Sequence, residues 1–101
     1  MKKLITYVPT THADKVRDAI AEAGGGKLGS YTHCTFSTKG IGRFKPEVGA
    51  HPHIGTVGTV ESVEEERIEV TCAANVVDAV IAAVKRVHPY EEIPIDVYTI
   101  E

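Results

Sequence analysis

The stretch His88-Pro89-Tyr90-Glu91-Glu92 divides an apolar helical pattern from the last apolar alternation of the chain. Pro89 has no amide hydrogen and pushes His88 out of the helical region, so a helix must end here. A histidine in a last turn also suits the negative end of a helix dipole. Working outward, Val77, Val80, Ile81 and Val84 form an i, i+3, i+4, i+7 stripe ahead of the corner. Asn75 is placed to cap that helix, with Asp78 three residues on. Beyond the corner, Ile93, Ile95 and Val97 alternate with Pro94, Asp96 and Tyr98, and Pro94 argues for an edge strand.

The earlier half repeats the pattern. Leu4, Ile5, Tyr7 and Val8 read as a central strand closed by Pro9. Thr11 is a candidate N-cap for a helix whose stripe is Ala13, Val16, Ala19, Ile20 and Ala23. Gly24-Gly25-Gly26 ends that helix in a mobile or closely approached turn. Tyr31 to Ser37 is β-type, Thr38-Lys39-Gly40 signals a turn, and Ile41 to Lys45 can pair back as a hairpin arm. Glu47 to Thr59 has no sustained period and is punctuated by glycine and proline, the mark of a functional loop. From Val63 a strand alternates Ile68, Val70 and Cys72 against Arg67, Glu69 and Thr71, with Glu64-Glu65-Glu66 as its solvated start.

Strand, helix, strand, strand, helix, strand is the order of an α+β, ferredoxin-like βαββαβ sandwich: an antiparallel sheet with two helices on one face. The other face is expected to carry Tyr7, Tyr98 and Phe44 or Tyr31, half-apolar and suited to a partner. A chain of 101 residues fits one domain, 1–101, that buries roughly 65% of its unfolded surface. The net charge of −3 and pI of about 5.9 speak against nucleic-acid binding, since Lys39, Arg43 and Lys45 make only a local cluster. The apolar run Leu4-Ile5 is too short for a signal peptide or a membrane span. Two cysteines, Cys34 and Cys72, suggest buried reduced thiols in a cytoplasmic protein, not a disulfide scaffold.

His51-Pro52-His53 is the most chemical-looking spacing. Residues two apart in extended chain project to one side, and imidazole suits zinc, copper or nickel. A full site needs three or four donors, and His33, His88, Glu91, Glu92 or Glu47 are available. The bland alternative is a pair of exposed loop histidines. A thiol nucleophile at Cys34 with His33 or His51 has no local support, because a cysteine alternating with Phe36 reads as core. The glycines form neither a dinucleotide nor a Walker pattern.

Taken together, the runs Gly26 to Phe36, Gly40-Ile41-Gly42-Arg43-Phe44-Lys45-Pro46, Pro52-His53-Ile54-Gly55, Val63 to Glu69 and His88 to Tyr98 resemble the inserted domain of the NGG-one-interacting-factor-three family. That insert is similar to PII signalling proteins and to CutA divalent-cation tolerance proteins, whose chains carry a similar His-Pro-Tyr-Glu turn before the last strand. The resemblance implies a PII/CutA-like fold and a homotrimer with clefts between subunits. Larger family members hold a di-metal site in halves that flank the insert, and those residues lie outside this chain. Where the family commonly shows Asn-Pro, this chain has His51-Pro52.

The resulting expectation is a small non-enzymatic module that binds a small ligand or a divalent transition metal at subunit clefts. His51, His53, His88 and Glu91 are the expected metal residues, and His33, Pro89, Tyr90 and Glu92 the expected cleft or motif residues. Two alternatives stand beside it: an interaction or lid domain for a separately encoded partner, and a metal-assisted hydrolase. No nucleic-acid or membrane partner is expected.

Overall fold

A computed structural model describes residues 1–101. The elements are β1 (Lys2–Pro9), α1 (Ala13–Glu22), β2 (Phe36–Phe44), β3 (Glu61–Cys72), α2 (Val77–Val87) and β4 (Ile95–Thr99), with a 3-10 turn at Thr10–His12. The sheet is fully antiparallel in the order β2-β3-β1-β4, so β1 is central and β4 an edge, as the sequence indicates. No helix is long and apolar enough to cross a membrane.

Strand alternation sorts the residues onto two faces. Leu4, Thr6 and Val8 of β1 lie opposite Val70, Ile68 and Glu66 of β3. On this side Leu4, Val8, Ile68, Val70 and Cys72 pack against Val16 and Ile20 of α1 and Val77, Val80 and Val84 of α2. The core therefore sits between two helices and two strands, and β2 contributes none of its buried residues. Thr6, fully buried, donates its hydroxyl to the Pro94 carbonyl at 2.9 Å and so ties the β4 approach to the core. Glu66 is 7% exposed and is held by Arg17 at 2.6 Å. Arg17 also reaches Asp14 at 2.6 Å and Ser37 at 3.0 Å, which pins α1 across β3 to the start of β2.

Several local expectations are corrected. Thr38-Lys39-Gly40 is not a turn: these residues pair with Arg67, Glu66 and Glu65 inside a continuous β2. That strand starts at Phe36, because Leu28 and Tyr31 exchange backbone hydrogen bonds of 2.9 Å and His33 takes a φ of 61°, which interrupts extended chain. Cys34 is consequently half-buried on a loop, and Phe36 is 66% exposed. Neither Thr11 nor Asn75 caps a helix; α1 and α2 follow His12 and Val76 with no side-chain cap. The acidic run is not a solvated lead-in, since Glu66 is buried and Glu65 accepts a hydrogen bond from the Tyr90 hydroxyl.

Of the three glycines after α1, Gly26 shows why the turn is closely approached. Its φ is +71°, and a Cβ there would lie 2.5 Å from the Cys34 carbonyl oxygen. Only glycine combines that conformation with that proximity.

Candidate functional site

The corner at His88 is built from α2 outward. The last helical hydrogen bond runs from the His88 amide to the Val84 carbonyl at 2.9 Å, and His88 itself is extended, with φ −70° and ψ 134°. Pro89 thus stops the helix as its chemistry requires. The His88 ring turns inward and is 7% exposed. Its Nε2 lies 2.7 Å from the Tyr7 carbonyl oxygen, which can only accept, so Nε2 carries the proton. The Tyr90 amide then donates to Nδ1 at 3.2 Å. Both ring nitrogens are used, and the imidazole is fixed as one neutral tautomer. Burial lowers its pKa from the ordinary value; the Tyr7 carbonyl and the Glu65 charge pull it partly back, and His12 lowers it further. His88 is therefore neither a dipole partner for α2 nor a free metal donor.

Tyr90 continues the corner onto the uncovered sheet face. Its hydroxyl donates to Glu65 Oε2 at 2.6 Å, and its ring meets Phe44 edge-on at 5.7 Å. Burial, then the Glu65 hydrogen bond and charge, hold the phenol proton well above its usual range. The Glu65 carboxylate reaches this position by lying over Gly42, where a Cβ would collide with Oε1. Gly42 thus makes room for a side chain, and neither glycine of β2 forms a turn.

The open face carries Ile5 and Tyr7 of β1, Phe36 and Phe44 of β2, Glu65, Arg67 and Glu69 of β3, and Tyr98 of β4, in agreement with the expected Tyr7, Tyr98 and Phe44. Tyr31 is not among them, because it lies in the turn before β2. One end of this face is a groove of about 840 Å³. Its floor includes Tyr7, Gly40, Gly42 and Arg67; its walls are the loop residues Pro46, Pro52, His53 and Ile54 and the corner residues from Tyr90 to Pro94. The two walls are joined where the His51 amide donates to the Glu91 carboxylate at 2.8 and 3.2 Å.

The expected site residues divide as follows. Tyr90, Glu91, Glu92 and His53 line the groove; Pro89 is half-buried at the corner. His51 is exposed beside Glu91, but the contact uses its backbone and not its ring. His33 lies near the start of β2 and is not part of the groove. No three or more His, Cys, Asp or Glu side chains are arranged to share one ion, so His51, His53, His88 and Glu91 do not form a ligand set within one copy. His53 instead faces His12, with ring centres 5.8 Å apart and planes at 89°. Sequence reasoning missed His12, Glu65, Gly42 and Arg67. For Glu65 a signal existed: alternation from Ile68 backward puts Glu66 on the core face and Glu65 on the face of Arg67. For His12 there was none, because its neighbour is 41 positions away.

The architecture defines a class. CutA from Nostoc sp. PCC 7120, a PII-like protein, superposes over 100% of this chain and 82% of its own, with a TM-score of 0.71 at 17% identity. Bacillus subtilis GlnK superposes over 98% and 83%, with a TM-score of 0.57 at 23% identity. The chain has the PII/CutA-like ferredoxin fold. Within that class it corresponds to one segment of the NIF3-related proteins. It is 48% identical over 101 residues to the GTP cyclohydrolase 1 type 2 homolog of Bacillus subtilis (strain 168), covering 100% of this chain and 27% of the relative. A Bacillus cereus protein related to NIF3 superposes with a TM-score of 0.82 at 46% identity, over 96% of this chain and 24% of its own. The chain thus spans about a quarter of the length of the curated relatives it matches. No family model matches it.

Proposed function

We propose that this chain is a non-enzymatic PII/CutA-like module that assembles as a homotrimer and receives a small ligand or a divalent metal at clefts between copies. The observation that carries this reading is the groove on the open sheet face, bounded on one side by a free edge strand, β2. Its volume lies in the range of small-molecule sites. Two of its acids are held within the chain: Glu65 by the Tyr90 hydroxyl and Glu91 by the His51 amide. Arg43 has no such partner, and Arg67 shares Glu69 at 3.5 Å. Fold neighbours support the choice of occupants: a CutA from Archaeoglobus fulgidus is described as a divalent cation tolerance protein, and Bacillus subtilis GlnK was solved as an ATP complex. Free thiols at Cys34 and Cys72 suit a cytoplasmic setting.

Light scattering at micromolar concentration tests the assembly. The expected mass is three times 10.9 kDa, and a monomer ends the cleft reading. A second reading, an interaction or lid domain, draws on the match to only a quarter of longer relatives. A pull-down from native extract that returns one stoichiometric protein favours it. Metal-assisted hydrolysis would need a third donor and an open coordination position, and no one copy supplies such a trio.

A further inference from the structure

We propose that His12 and His53 form a two-imidazole site for a divalent transition metal at the rim of the groove. It deepens the metal part of the reading above by naming the donors, and neither His51 nor His88 is among them.

The geometry comes first. With a metal–nitrogen bond of about 2.0 Å and the nitrogen roughly 1.2 Å from its ring centre, two imidazoles on one ion have centres at most about 6.4 Å apart, and about 5.2 Å apart at a tetrahedral angle. The observed 5.8 Å lies between these limits. The planes are perpendicular, so the two rings are not stacked on each other.

Orientation comes second. His12 Nδ1 is 2.8 Å from the Thr11 hydroxyl. When Nδ1 donates its hydrogen there, Nε2 is left with a lone pair, the arrangement in which a partner outside the coordination sphere sets the tautomer of a metal-bound histidine. The His53 ring makes no hydrogen bond within the chain and is exposed, so an ion can reach it. His88, by contrast, has spent both nitrogens on the Tyr7 carbonyl and the Tyr90 amide.

Support from the fold comes third. His12 ends the 3-10 turn and stands at the start of α1, a position fixed by the core packing of Ala13 and Val16. His53 is carried by the loop that Glu91 ties down two residues earlier. One donor is rigid and the other adjustable, and the remaining positions are left to water or to a donor from a second copy. Neutral imidazoles select zinc, nickel or copper(II) over calcium or magnesium.

Calorimetric titration of the full chain with zinc and with nickel, in a Cys34→Ser background that removes the half-buried thiol, tests the site. His12→Ala and His53→Ala are each expected to weaken binding at least tenfold, and the double variant to lose saturable binding. His51→Ala is expected to stay within twofold of the parent. Thr11→Val, which keeps both donors, is expected to weaken binding a few-fold. His12→Gln serves as a second variant should His12→Ala lower the helix signal in circular dichroism. Absence of saturable binding by the parent chain, or parental affinity in both His12→Gln and His53→Ala, overturns the site. Light scattering on the same samples separates the two readings. A trimer that takes up no metal overturns the histidine pair alone. A monomer whose metal uptake needs both histidines supports the pair and ends the cleft reading.

Discussion

His88 joins α2, β1 and the corner through one neutral ring. The Tyr7 carbonyl and the Tyr90 amide both depend on it, and protonation would set an Nδ1 hydrogen against the Tyr90 amide hydrogen. Because burial lowers the pKa in the folded chain, the unfolded chain binds the proton more readily. The stability contributed by neutral His88 is complete above the ordinary histidine value of about 6.5 and is lost as pH falls through the lower folded value. Urea denaturation between pH 7.5 and 5 should show a decline that His88→Gln flattens. At pH 7.5, His88→Ala should cost about 2–3 kcal/mol, since it leaves a buried carbonyl and an amide without partners. An unchanged urea midpoint would show that water replaces the ring at no cost.

Tyr90, Glu65 and Gly42 connect the corner to β2 and β3 as elements. Gly42→Ala must displace the Glu65 carboxylate and break its 2.6 Å contact with Tyr90. The expected loss is about 1–2 kcal/mol, and it should shrink in a Tyr90→Phe background, where no hydroxyl holds the carboxylate in place. Equal losses in both backgrounds would assign the effect to the strand and not to the bond. Gly26→Ala should cost more than Gly29→Ala, because both have positive φ but only Gly26 meets the Cys34 backbone. Thermal unfolding of the pair checks this ordering. The order of elements was legible in the sequence, since the helical stripes at Val16/Ile20 and Val77/Val84 and the alternation at Ile68/Val70/Cys72 are local signals. The boundaries of β2 were not. Its glycines read as turn residues until the strand beside it shows that Gly42 admits the Glu65 side chain. The corner motif identified one groove wall, yet its histidine faces the core, and no local pattern could tell inward from outward. His12 illustrates the same limit: its pairing with His53 exists only once the chain is folded.

At the scale of the molecule, the radius of gyration of 14.2 Å exceeds the ~12.7 Å expected for a compact chain of this length. The extents of 47 × 23 × 22 Å describe an elongated body. Helices back β1 and β3, while β2 supplies nothing to the core and leaves Phe36 exposed. Tyr98, at 54% exposure, stands on the same face near the opposite edge. A Phe36→Ser/Tyr98→Ser double variant should weaken self-association at least tenfold while shifting the thermal midpoint of the isolated copy by no more than a few degrees, since surface changes rarely disturb a core. Sedimentation velocity over a concentration series reads the first effect and calorimetry the second. Retained assembly would move the interface away from this face.

The free edge of β2 has a further consequence for what the chain must avoid. An uncapped strand offers its amides and carbonyls to any extended peptide, the usual route to unwanted aggregation. Here the exposed edge carries Lys39 and Arg43, with Gly40 and Gly42 between them that weaken pairing with an arbitrary strand. Gly42, which opens room for Glu65, therefore also acts as a gatekeeper, and a partner strand gains most from this edge when it brings acids to meet those two cations.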